Sequence, residues 1–188
     1  KKKKTNIEKA LYVNERTIAK DLPGDFLDNL LLKEAYRTES NFNEEVKVKD
    51  LEQARINLFG KNYEIIIPTD KEVGSCPVFK YNTEKRSYKR DSSECNITND
   101  ISISYDVVEA RIIENKSITI YEAVAFIKDD KIYKKIDGSN NVSDEVKDVT
   151  TDGFNVLDNV KKLNQYKYTF TYDKDSNNYV FNSIELVK

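Results

Sequence analysis

Residues 101–128 read "ISISYDVVEARII", then "ENK", then "SITIYEAVAFIK". Two long runs rich in Ile, Val, Tyr and Thr flank three polar residues, which is the signature of a β-hairpin and not of a helix. Ile101, Ile103, Tyr105 and Val107 alternate on one face until Val108 shifts the phase, and such a shift predicts a β-bulge. After the turn, Ile118 and Ile120 share a face, with a further shift expected before Val124 and Phe126. Two long β-rich runs about a tight turn make this hairpin part of a long antiparallel meander. The rest of the chain is read around it.

Downstream, "IDGSNNVSDEVKDVTTDG" (136–153) reads as an acidic loop region and "FNVLDNVKKL" (154–163) as a short helix. The C-terminal "YKYTFTY", "DKDSNN" and "YVFNSIELV" form a second hairpin, with Tyr166, Tyr168, Phe170 and Tyr172 alternating on one strand and Tyr179 and Phe181 on the other. Upstream the period changes. "TNIEKALYVNERTIAKDL" (5–22) places Ile7, Leu11 and Ile18 near a helical spacing that Asn14 interrupts. Pro23–Gly24 breaks it, and a second helix restarts with Asp25 as N-cap and Phe26, Leu27, Leu30, Leu31 and Ala35 as its apolar face. A third, "KDLEQARINLFG" (49–60), aligns Leu51, Ala54, Leu58 and Phe59 and stops at Gly60. Helices over 1–60 followed by an antiparallel sheet over 61–188 predict a single α+β domain, with N-terminal helices packed on a curved sheet.

The only two cysteines, Cys76 and Cys95, bracket "PVFKYNTEKRSYKRDSSE". Their pairing sets Tyr81 opposite Arg90 and Thr83 opposite Tyr88, and groups Phe79, Tyr81 and Tyr88 on one face. The expectation is a disulfide, as suits an oxidising compartment; two unpaired buried thiols are the alternative. A bridge here closes a loop of about 20 residues and stabilises by roughly 3 kcal/mol in the chain-entropy model.

Among 188 residues there are 31 basic and 33 acidic side chains, no His, no Met and no Trp. A net charge of −2 argues against nucleic-acid binding, which normally needs a basic surplus on one face. Twelve Tyr and eight Phe separate the chain from disordered polypeptides of similar polarity. Without His, the familiar nucleophilic triads and zinc sites have no base or ligand. Five Gly and no phosphate-loop motif leave nucleotide cradles without a basis. Asp173, Asp175 and Asn177 have the alternate spacing of a calcium loop, but Asn178 stands where that loop needs Gly and Ile184 where it needs Glu. They read as a solvated hairpin turn. No catalytic residue, metal ligand or cofactor is therefore assigned. The Tyr/Phe strand face reads first as core and second as a pocket or glycan platform.

Three N-terminal helices, a hairpin and four long strands ending the chain resemble the nuclear-transport-factor-like, or cystatin-like, cone. "LFGKNYE", "KYNTEKRSY" and "YKYTFTYDKDSNNYVFNSIELV" resemble uncharacterised exported or lipoprotein-like envelope domains of low-GC Gram-positive bacteria. The Lys-, Asn-, Ile- and Tyr-rich composition agrees with an AT-rich genome. The resemblance implies an extracellular or cell-surface location, with an anchor upstream of Lys1, because no run in this chain is long and apolar enough to span a membrane. The function expected is a non-catalytic interaction module for an unidentified protein or glycan. The alternative is a carrier or enzyme of the cone fold that uses a pocket carboxylate or Tyr.

Overall fold

The computed structural model describes residues 3–4, 6–38, 45–64, 78–91 and 101–188. In chain order the strands are β1 (Lys3–Lys4), β2 (Arg16–Ile18), β3 (Glu45–Lys47), β4 (Val78–Asn82), β5 (Ser87–Asp91), β6 (Ser102–Ile113), β7 (Ser117–Lys128), β8 (Lys131–Ile136), β9 (Val142–Glu145), β10 (Asn164–Asp173) and β11 (Asn178–Leu186). The α-helices are α1 (Gly24–Thr38) and α2 (Val48–Phe59). The fold is α+β, with a strongly curled antiparallel sheet that forms a half-barrel. Two compact units share the chain.

The larger unit is an eight-stranded sheet ordered β1-β6-β7-β10-β11-β2, from which β8 and β9 branch. β7 is its axis. Along one edge it pairs with all of β6, and along the other it pairs first with β10 and then, from Phe126 onward, with β8. The fork buries Glu122 to Phe126 on both faces. Val124 and Phe126 join Tyr12, Ile101, Ile103, Ile136, Tyr166 and Ile184 on one side. Ala123 and Ala125 join Ile132, Val146, Phe154, Val156 and Leu163 on the other. The expected bulge is present, since the β6–β7 register shifts between Val107 and Glu109. Such a bulge increases local twist and helps a sheet to curl. β7 itself has no phase shift: its ladder with β10 runs unbroken from Val124↔Asn164 to Ser117↔Thr171. Ile118, Ile120, Val124 and Phe126 therefore share one face with Glu122 between them, and it is this acid that imitates a shift in the sequence.

Two segments of this unit differ from expectation. Residues 5–22 are not one helix: a 3-10 helix, Asn6–Tyr12, leads to β2, which pairs Arg16, Thr17 and Ile18 with Glu185, Ile184 and Ser183. The interruption at Asn14 marks the change of structure. The acidic region is also partly ordered, because β9 pairs with β8. Asp137 closes that hairpin, its Oδ1 accepting the amides of Ser139 and Asn141 at 2.9 and 2.8 Å. The short helix near residue 160 is a 3-10 helix, Leu157–Lys162.

The second unit comprises α1, α2, a three-stranded sheet ordered β3-β5-β4 and the tip of the β10–β11 hairpin. α1 starts two residues earlier than expected, with the Pro23 carbonyl accepting the Leu27 amide, so Asp25 lies within the first turn and is not the N-cap. Leu31, Leu32 and Ala35 of α1 are fully buried, as are Val46 of β3 and Leu51 of α2. α2 ends at Gly60, as its sequence predicts; φ +84 and ψ 168 there suit glycine alone. The β4–β5 hairpin pairs Tyr81 with Tyr88 and Phe79 with Arg90. This corrects the expected register by two residues. The turn forms earlier because Asn82 Oδ1 accepts the Lys85 amide at 2.9 Å and Arg86 adopts φ +49. A slip of two keeps every side chain on its face, and the Tyr81 and Tyr88 rings lie 5.1 Å apart. Cys76 and Cys95, and with them the predicted bridge, lie outside the described residues.

Candidate functional site

One polar cluster sits inside the apolar face of the curled sheet. Glu122 points from β7 into the core containing Val124 and Phe126, and is only 5% exposed. Its Oε2 accepts the hydroxyl of Tyr12 at 2.9 Å and that of Tyr168 at 2.8 Å. The two hydroxyl oxygens are themselves 2.8 Å apart. Two hydroxyl protons thus serve three short oxygen–oxygen contacts.

Three elements bring these groups together. β7 supplies Glu122, β10 supplies Tyr168, and the 3-10 helix Asn6–Tyr12 lays its last residue over the sheet. The Tyr12 ring meets Tyr166 and Phe126 edge-on, with centroids 4.8 and 5.8 Å away. Burial raises the Tyr12 phenol well above its ordinary range, and the neighbouring Tyr168 and Glu122 push in the same direction. Burial likewise raises Tyr166. A carboxylate bracketed by phenols can accept or relay a proton, or hold three elements in register. Sequence reasoning missed Glu122. Its signal was an acid at an even position of an otherwise apolar strand face.

The Tyr/Phe face of the C-terminal hairpin divides between two roles. Tyr166 is buried in the core, and Phe170 meets Phe181 edge-on at 5.8 Å, while Tyr168 contributes its hydroxyl to Glu122. At the hairpin tip, Asp173 Oδ2 accepts both the hydroxyl and the amide of Ser176, at 2.5 and 3.2 Å. The Ser176 hydroxyl bond is the main reason its carboxyl stays below the usual carboxylate range. Asp175 receives the Asn62 side-chain amide at 3.5 Å, and Asn177 takes φ +52. Both Asp173 oxygens are used by the turn, since its Oδ1 accepts the Asp175 amide. No group of three or more possible metal ligands occurs among the described residues.

A second feature lies on the surface. β6 leaves the core after Tyr105, and every residue from Asp106 to Ile113 is exposed. Val107 and Val108 stand out there, with Ile112 70% and Ile113 56% exposed. These four are most of the large exposed hydrophobics among the described residues. Scattered exposed apolar residues are ordinary, and here four of them fall on one strand. No described helix is long and apolar enough to cross a membrane. No family model matches the chain, and neither a curated protein nor a solved structure matches it significantly.

Proposed function

We propose that this chain is a non-catalytic interaction domain of the cell envelope or extracellular space, and that the outer strand β6 is where it binds. The observation that carries this reading is the concentration of Val107, Val108, Ile112 and Ile113 on one exposed strand. The buried cluster supports it from the other side. The oxygens of Tyr12, Glu122 and Tyr168 are engaged with one another beneath aromatic rings, as suits a structural brace. The curled antiparallel sheet is the part of the molecule on which the nuclear-transport-factor-like reading rests.

A second reading has one specific observation in its favour. A carboxylate with two phenols within 2.9 Å is also the acid–base equipment that a carrier or enzyme of the cone fold would use. The two readings separate on a pair of variants. Purified chain is mixed with cell-wall sacculi of a low-GC Gram-positive bacterium and sedimented, with intact sacculi and sacculi stripped of protein as the two arms. The interaction reading expects Ile112→Lys to abolish co-sedimentation and Glu122→Gln to leave it unchanged. Loss with Glu122→Gln and retention with Ile112→Lys would move the function to the buried cluster.

A further inference from the structure

The exposed arm of β6 has a sequence that complements itself. Residues 107–113 read Val-Val-Glu-Ala-Arg-Ile-Ile. We propose that two copies of the chain associate by pairing β6 with β6 in antiparallel fashion, about a two-fold axis through Ala110. This register sets Glu109 opposite Arg111 of the other copy, and Arg111 opposite its Glu109. The proposal rests on the reading of β6 as the binding surface and names its occupant as a second copy.

Three observations support the pairing. First, among the described residues the outer edge of β6 pairs only with β1, at Ile103 and Ser104, short of the arm. Unpaired strand edges are templates for another strand, and a two-fold interface must be self-complementary.

Second, the charges are already placed. Arg111 Nε and Glu109 Oε1 are 2.5 Å apart on one face of the strand, and their side chains are 65% and 47% exposed. The Arg111 guanidinium also lies 5.6 Å from the centre of the Tyr121 ring, which holds it on that face. Cross-strand neighbours in an antiparallel pair point to the same side, so two such pairs form a four-membered ring of alternating charge.

Third, the backbone alternation fits. The Ile113 carbonyl accepts the Lys116 amide at 3.0 Å, so the polar groups of Ile113 face the hairpin interior. Those of Ala110 and Ile112 then point to the open edge, where a two-fold ladder centred on Ala110 needs them. Ala110 is also the smallest side chain of the arm, on the axis where two copies come closest. The bulge lies before Glu109, so the central pairs sit on regular strand. On its N-terminal side the bulge at Val107–Glu109 ends the regular ladder.

Sedimentation equilibrium on the full chain tests this. Wild type is expected to show a concentration-dependent monomer–dimer equilibrium. Glu109→Arg and Arg111→Glu each place like charges opposite one another, and each should weaken dimerisation about tenfold or more. The double variant Glu109→Arg/Arg111→Glu restores opposite charges and should dimerise again. An equimolar mixture of the two single variants should form a heterodimer that neither forms alone. Ala110→Pro, which removes the central edge amide, should give a monomer. Far-UV circular dichroism shows that each variant is folded. A wild type that stays monomeric up to millimolar concentration overturns the proposal, as does a dimer indifferent to the single charge reversals. Failure of both the double variant and the mixture to recover dimers overturns the register. If dimers are absent while Ile112→Lys still abolishes sacculus binding, self-pairing alone fails. If dimers behave as expected while Ile112→Lys leaves sacculus binding intact, the envelope-binding reading fails instead.

Discussion

Tyr12→Phe removes one oxygen from the buried cluster and almost nothing else. The ring keeps its edge-on contacts with Tyr166 and Phe126, so no cavity large enough to matter forms. What is lost is a hydrogen bond of 2.9 Å to a carboxylate and a shared contact of 2.8 Å with Tyr168. Hydrogen bonds to charged groups contribute about 1.5–3 kcal/mol. The remaining Tyr168 hydroxyl still donates to Glu122, so no buried donor is orphaned and the cost should stay near about 2 kcal/mol. With a urea dependence of about 1–3 kcal/mol per molar, the midpoint should fall by roughly 1 M at unchanged slope. Glu122→Leu removes the shared acceptor, and a double-mutant cycle with Tyr12→Phe should show coupling of about 1–3 kcal/mol. Unfolding followed by far-UV circular dichroism measures all four corners. A Tyr12→Phe protein as stable as wild type would refute the reasoning, because it would mean that the buried hydroxyl contributes nothing net. The same burial gives an alkaline signature. Tyr12 holds its proton more tightly folded than unfolded, so its contribution is intact below the ordinary phenol value near 10 and is lost as pH rises above it.

Other outcomes follow from single residues. Gly60→Ala should cost about 1–3 kcal/mol, since φ +84 excludes side chains and an added Cβ would meet Asp173 Oδ2 at 3.0 Å; thermal unfolding of the full chain measures it. Asp137 is held below the usual carboxylate range, first by the Asn141 amide, so its stabilisation is present above pH 4 or so and disappears as pH falls through its folded value. Asp137→Ala should therefore lower the melting temperature at neutral pH and converge with wild type in acid. Cys76 and Cys95 should resist alkylation in protein purified without reductant, and two alkylated thiols in the native mass spectrum would end the disulfide proposal.

Local signals carried much of this fold. The β6–β7 hairpin is legible because period-two alternation brackets a turn, and its bulge because Val107 and Val108 are adjacent. Gly60 announces the end of α2 because its conformation excludes other residues. What was hidden depends on distant partners. Arg16–Ile18 is a strand because Ser183–Glu185 lies beside it, and three residues carry too little pattern to say so alone. The 3-10 turn of Asn6–Tyr12 imitates an α-helix at the spacing of Ile7 and Leu11. Glu122 looks like an irregularity in an apolar strand until Tyr12 and Tyr168, from both ends of the chain, are seen to donate to it. The β4–β5 register escaped because the cysteines were used to set it, whereas the Asn82 side chain decides where the chain turns.

The pairing of β2 with β11 has a consequence for how the protein is made. β2 leaves the ribosome ahead of its ladder partners, which are roughly 165 residues behind it, on the order of ten to thirty seconds at about 5–20 residues per second. During that interval Thr17, almost wholly buried in the finished molecule, has no strand to lie against. The helical unit waits as well, because Asn178 at the hairpin tip donates to the Asn57 carbonyl at the end of α2. A nascent chain lacking the β10–β11 hairpin thus presents an unfinished sheet to whatever chaperones it meets.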